Sequence, residues 1–92
     1  MVSQRIQVLM VDDHPLLSEG LAAVIQNQHD MVPIGQASSG REAIQLFDQY
    51  RPDVTLMDLR LPDMSGIDAM VAIRSKFPEA RFIILTTLAG DA

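Results

Sequence analysis

Four short apolar runs alternate with three segments of helical periodicity, and that alternation leaves this 92-residue chain few folds to choose from. Ile6 to Val11 is almost continuously apolar, as a parallel strand buried on both faces must be. Pro15 then opens a helix at its first turn, and Leu17, Leu21, Val24 and Ile25 recur at helical spacing to about Gln28. Met31 to Ala37 reads as a second, weaker strand, with Pro33 pointing to a sheet edge. Ser39 and Glu42 form a capping-box pattern ahead of Ala43, Ile44 and Phe47, and Pro52 stops that helix. Val54 to Met57 is a third strand. The stretch Leu59 to Gly66, with Pro62 and Gly66 as punctuation, is a loop, and Ile67, Met70, Val71 and Ile73 form a third helix that ends near Phe77 and Pro78. Arg81 to Thr86 is a fourth strand. The order β-α-β-α-β-α-β predicts an α/β fold with a parallel sheet and right-handed crossovers. Strands one, three and four are the most apolar and are expected to be central.

In open sheets of this kind, ligands bind beyond the carboxyl ends of the strands. Those ends carry Asp12 and Asp13, Asp58, and Thr86 and Thr87, so the candidate chemistry falls on one edge. Neighbouring strands lie roughly 4.8 Å apart, which brings the three carboxylates within several ångströms if strands one and three are adjacent. Two unit charges about 5 Å apart repel by roughly 3 kcal/mol at an effective dielectric near 20. Either one carboxylate holds a proton or a cation sits among them. Hard oxygen ligands with few protein partners suit Mg2+. Taken singly, Asp12 and Asp13 read as a solvated strand end and a helix cap, and Asp58 is equally bland. Their coincidence at the ends of adjacent strands favours a metal site. A carboxylate beside a metal can also attack phosphorus, with the Thr86 hydroxyl donating to a phosphoryl oxygen. Spacing alone leaves open which aspartate would attack.

Composition narrows the function classes. Seven basic against twelve acidic residues give a net charge of −5 and disfavour nucleic-acid binding by this chain. Lys76 is its one lysine, so a DNA-binding role would belong to another domain. There are no cysteines, which excludes disulfides and thiolate metal sites and fits a reducing cytoplasm. The apolar run before Asp12 is too short for a signal peptide or a membrane span. The whole length, residues 1–92, reads as one domain. His14, beside Pro15, reads as a loop or capping residue, His29 as a surface residue, and Met10, Met57, Met64 and Met70 as packing residues, with Met64 the candidate for exposure.

The segments Val11-Asp12-Asp13-His14-Pro15, Leu56 to Gly66 around Asp58, and Ile84-Leu85-Thr86-Thr87 together resemble the receiver domain of bacterial two-component response regulators. The wording from Asp12 to Leu21 is similar to receivers with a LuxR-, NarL- or FixJ-like helix-turn-helix output domain. The resemblance runs along the whole chain. It implies a flavodoxin-like (CheY-like) doubly wound sheet with strand order 2-1-3-4. It also implies that Asp58 is the phosphoacceptor for a histidine kinase, and that Asp13 is a direct Mg2+ ligand with Asp12 holding metal-bound water. The backbone carbonyl of Arg60 matches a further metal ligand, Thr86 the switch hydroxyl, and Thr87 a backbone amide that contacts the phosphoryl group.

The chain departs from the family pattern after Thr87. A complete receiver continues through a fourth helix, a fifth strand ending in a lysine that bonds the phosphoryl group, and a fifth helix. No residue of this sequence matches that lysine, since Lys76 falls in the third helix. Two expectations follow: phosphorylation is slow or absent while weak Mg2+ binding survives, and an uncovered fourth strand and sheet face promote self-association. The competing functions are a non-catalytic interaction module and a Mg2+-dependent phosphohydrolase of the haloacid-dehalogenase type. The second lacks the D-x-D spacing after strand one, so a signalling domain, not an enzyme, is the leading expectation.

Overall fold

The computed structural model describes residues 4–85. Its elements run β1 (Ile6–Val11), α1 (Pro15–Gln26), β2 (Met31–Ala37), α2 (Gly40–Tyr50), β3 (Val54–Asp58), α3 (Gly66–Lys76) and β4 (Phe82–Leu85). All pairings in the four-stranded sheet are parallel, and the order is β2-β1-β3-β4. The alternation of apolar runs and helices thus produces the parallel α/β sheet expected of it, in the doubly wound strand order that the resemblance implies.

Alternating side chains of β1 serve two separate cores. Leu9 and Val11 pack with Ala43, Phe47, Met57, Ala69 and Ile73 under α2 and α3, whereas Val8 and Met10 pack with Ile25 under α1. A strand with a helix layer on each face needs apolar residues at both parities, which is why β1 is continuously apolar. β2 is an edge strand among the described residues. Its register slips by one residue between Val8 and Leu9, beside Pro33, which has no N–H to offer the ladder.

Several details differ from the sequence expectation. β4 occupies the outer position of the described sheet, with Ile83 and Ile84 exposed, so its apolar character did not make it central here. It begins at Phe82, and Thr86 lies outside the described residues; β3 runs one residue further than expected, to Asp58. α1 stops at Gln26, where Asn27 caps it, and its fully buried positions are Ser18 and Ile25; Val24 is exposed. The helix is therefore rotated toward Ser18 relative to a stripe drawn from its aliphatic residues alone. The capping box is half formed. Ser39 Oγ accepts the Glu42 N–H at 3.1 Å, but the Glu42 carboxylate accepts the N–H of Ser38, one residue further out, at 2.8 Å. α2 ends at Arg51, the one non-glycine residue of positive φ among those described, and Pro52 then bars continuation. No helix among the described residues is long and apolar enough to cross a membrane.

Candidate functional site

The ladder between β1 and β3 pairs Val11 with Met57, so Asp12 and Asp58 are the next residues on adjacent strands. Both are almost wholly buried, at 2% and 1% exposure. Asp12 shares the parity of Val8 and Met10 and faces α1. There its Oδ1 accepts the Ser18 hydroxyl at 2.7 Å and the His14 backbone N–H at 2.9 Å. Its Oδ2 is buried without a donor. Asp58 is divided the same way: Oδ1 accepts the Arg60 N–H at 3.0 Å, while Oδ2 is buried without a hydrogen-bond partner. Asp13 sits on the bend after β1 and is exposed.

His14 is the N-cap of α1, as its place before Pro15 suggests, but its side chain does not cap the helix. It turns instead toward the carboxylates, with Nδ1 3.2 Å from Asp13 Oδ1 and 3.7 Å from Asp58 Oδ2. Donor atoms of Asp13, His14 and Asp58 lie within 4.8 Å of one another. A cleft of about 300 Å³ opens on the β2 side of Asp12 and Asp13, walled also by Ser18, Gln36 and Glu42; Asp58 is not in its wall.

The loop from Asp58 to α3 is closed on itself and tied to α2. The Gly66 N–H donates to the Leu59 carbonyl at 2.9 Å, and Arg60 and Ser65 form an isolated antiparallel bridge. A Cβ at position 66 would collide with the Asp58 carbonyl oxygen and stand 2.9 Å from Leu59 Cα, so this close approach requires glycine. Further along the loop, both Asp63 oxygens accept amides of the first turn of α2, from Gly40 at 2.7 Å and Arg41 at 2.9 Å. The Gly40 hydrogen bond, then that of Arg41, holds the Asp63 carboxyl below its ordinary value. Met64, expected to be the exposed methionine, is half-buried against the α2–α3 core, and a Cβ at Gly40 would strike it.

Of the residues singled out from sequence, the structure brings Asp12, Asp13, Asp58 and Arg60 to one edge of the sheet. Thr86 and Thr87 lie outside the described residues. Sequence reasoning missed Ser18 and the direction of the His14 side chain. Ser18 did carry a signal, since it lies seven residues before Ile25 and therefore on the same buried helix face. Two buried carboxylate oxygens without donors are costly to leave so. The bare Asp58 oxygen and the exposed Asp13 carboxylate beside it make an oxygen donor pair that a divalent cation fits.

Comparison with known proteins fits this geometry. The profile of the response regulator receiver domain matches residues 8–92. The chain belongs to the response regulator receiver family. This receiver is 44% identical over 87 residues to the transcriptional regulatory protein YxjL of Bacillus subtilis, covering 95% of the chain and 40% of that protein. It spans about two fifths of the length of the curated relatives it matches, VraR of Staphylococcus aureus among them at 36% identity. Among solved structures, a LuxR-family response regulator from Aurantimonas superposes with a TM-score of 0.87 at 33% identity, covering 95% of this receiver and 62% of that chain. The response regulator TrrA of Thermotoga maritima, solved in complex with Mg(2+)-BeF, superposes with a TM-score of 0.82 at 30% identity, covering 90% of this chain and 70% of that one.

Proposed function

We propose that this receiver accepts a phosphoryl group on Asp58 from the phosphohistidine of a histidine kinase, and that Asp13, Asp58 and the Arg60 backbone carbonyl hold Mg2+ for the transfer. The observation that supports this most is the asymmetry of the Asp58 carboxylate, one oxygen held by the Arg60 N–H and the other without a donor. The held oxygen fixes the orientation of the carboxylate. The free oxygen keeps its lone pairs for attack on phosphorus, which forms the O–P bond as the P–N bond breaks and its electrons leave with the imidazole nitrogen. Asp12 is locked by Ser18 and the His14 amide, and its second oxygen is left to orient metal-bound water. When bound, Mg2+ offsets negative charge on the transferring group. That the similar regulator TrrA was solved in complex with Mg(2+)-BeF supports Mg2+ as the cation.

Thr86 and Thr87 take the switch-hydroxyl and amide roles in this reading. The receiver is a stoichiometric acceptor rather than a turnover enzyme. It passes its phosphorylation state to a helix-turn-helix output domain of a longer cytoplasmic regulator, and that domain, not this acidic one, contacts DNA. The names of the relatives as transcriptional regulatory proteins support this assignment.

The test is transfer from a phosphorylated kinase or from acetyl phosphate, read as the mass increase of one phosphoryl group sensitive to hydroxylamine. Labelling is expected to need a divalent cation, to vanish in Asp58→Asn, and to be slow on the 92 residues alone, where Lys76 lies in the last turn of α3. Label that survives Asp58→Asn would refute the assignment. The 92-residue polypeptide is further expected to self-associate through β4, whose Ile83 and Ile84 are 54% and 39% exposed. A monomer mass across a wide concentration range in light scattering would remove that expectation.

A further inference from the structure

We infer that His14 turns the acidic edge into a mixed nitrogen–oxygen cation site that takes late first-row divalent ions such as Ni2+ in preference to Mg2+. This rests on the reading that the carboxylates of Asp13 and Asp58 form a cation site. The added element is the imidazole.

The geometry assigns His14 a place beside both carboxylates. Its backbone is anchored, because its N–H donates to Asp12 Oδ1 and Pro15 fixes the first turn that follows. From that anchor Nδ1 reaches to 3.2 Å from Asp13 Oδ1 and 3.7 Å from Asp58 Oδ2. Ligands on a cation at bonds of about 2.1 Å, subtending tetrahedral or octahedral angles, lie about 3.0–3.5 Å apart. The 3.2 Å separation falls inside that range, and the 3.7 Å separation lies just beyond it. Only small movements of Asp13 and His14, both on the exposed side, would seat an ion, while the buried Asp58 stays fixed. The acidic residues alone would not make a case. Asp58 Oδ2 does, because it is a carboxylate oxygen on a 1% exposed residue, without a hydrogen bond, facing the same imidazole nitrogen.

The choice of ion follows from ligand chemistry. Mg2+ demands oxygen donors and keeps its waters, so an imidazole adds little to its binding. Ni2+, Co2+ and Zn2+ accept imidazole nitrogen readily, and a neutral ring offers them one. Any site of oxygens favours Ni2+ over Mg2+ somewhat, so the diagnostic is what removal of the ring does to the ratio of the two affinities.

The test is titration of the 92-residue chain with NiCl2 and MgCl2 by calorimetry, in the wild type, His14→Ala, His29→Ala and Asp58→Asn. Circular dichroism checks that each variant keeps its helix content. His14→Ala is expected to lower Ni2+ affinity about tenfold or more and to leave Mg2+ affinity within about twofold. His29→Ala should change neither, because that side chain is exposed and remote from the carboxylates. With diamagnetic Zn2+, the 15N resonance of His14 Nδ1, rather than Nε2, should move to the coordinated position. An equal effect of His14→Ala on both ions, or none, would overturn the inference and leave the carboxylate site standing. Failure of the wild type to bind either ion, or binding that ignores Asp58→Asn, would overturn the carboxylate site itself and the inference with it.

Discussion

Asp58 ends β3 and Asp63 lies five residues on in the loop that follows, and the two use the same functional group in opposite ways. Asp63 is exposed, yet both its oxygens are satisfied by amides at the start of α2. Asp58 is buried, yet one of its oxygens has no hydrogen bond at all. A structural carboxylate is expected to show the first pattern, since solvent and amide donors together make its charge cheap to hold. The second pattern costs stability and persists only where something other than folding keeps it. Asp63 fastens the loop to α2, and Asp58 presents a reactive oxygen from the strand end where that loop begins.

The widest test of this contrast is Asp58→Asn. Loss of phosphoryl labelling should be complete, because an amide is no nucleophile toward phosphorus. At the same time the metal-free variant should be more stable than the wild type by about 1–2 kcal/mol, since a buried carboxylate with one oxygen lacking a donor is replaced by an amide of the same shape. Urea denaturation with and without Mg2+ measures this. A destabilised Asp58→Asn would break the comparison, for it would put Asp58 in the same structural class as Asp63.

Gly66→Ala tests the fastening itself. The added methyl meets the Asp58 carbonyl oxygen and the Leu59 Cα, both backbone atoms with little freedom to move aside. The expected loss is about 3 kcal/mol, toward the upper end for small-to-large substitutions, with slower labelling because the Asp58 backbone must shift. Wild-type stability in chemical denaturation would show that the loop yields more than its contacts suggest. Ser18→Ala comes next. It removes the 2.7 Å hydroxyl donor from Asp12 Oδ1 but leaves the His14 amide in place. A hydrogen bond to a buried carboxylate of this kind contributes about 1.5 kcal/mol. The variant should lose that much stability, and unchanged denaturation midpoints would show Asp12 to be held by its backbone alone.

The same contrast explains what could be read from the sequence. β1 and β3 were legible because helices cover both their faces, so both side-chain parities are apolar. Asp12, Asp13 and Asp58 were legible because strand ends on adjacent parallel strands converge whatever the side chains do. The rotation of α1 was harder to see, because Ser18 shares the helix face of Ile25 but counts as polar in a hydrophobic stripe, and it is buried against Asp12. The reach of His14 depends on a side-chain torsion that spacing does not encode. The Asp63 tie spans 23 residues to Gly40 and uses main-chain amides, which carry no sequence signature. β4 read as central because its apolar content reports the burial of a strand with neighbours on both sides, and among the described residues it has β3 alone.

Asp63→Asn should have the smallest effect and the most informative pH dependence. The Gly40 and Arg41 amides favour the ionised carboxyl, so its folded-state value lies below the ordinary 3.8 of the unfolded chain. As pH falls, the unfolded chain therefore takes up its proton first. The stabilisation from the tie is complete above about 3.8 and is lost as pH drops through the lower folded value. An asparagine at position 63 keeps one acceptor but turns an N–H toward an N–H, and it does so at every pH. At neutral pH the variant should melt slightly below the wild type, by an amount that added salt reduces, since the charge is exposed. On acidification the two melting curves should converge as the wild-type carboxyl protonates, while labelling on Asp58 at neutral pH stays intact. A melting difference that ignores pH would mean that Asp63 acts through shape and not through charge. Labelling lost with it would mean that the fastening and the reactive oxygen cannot be separated.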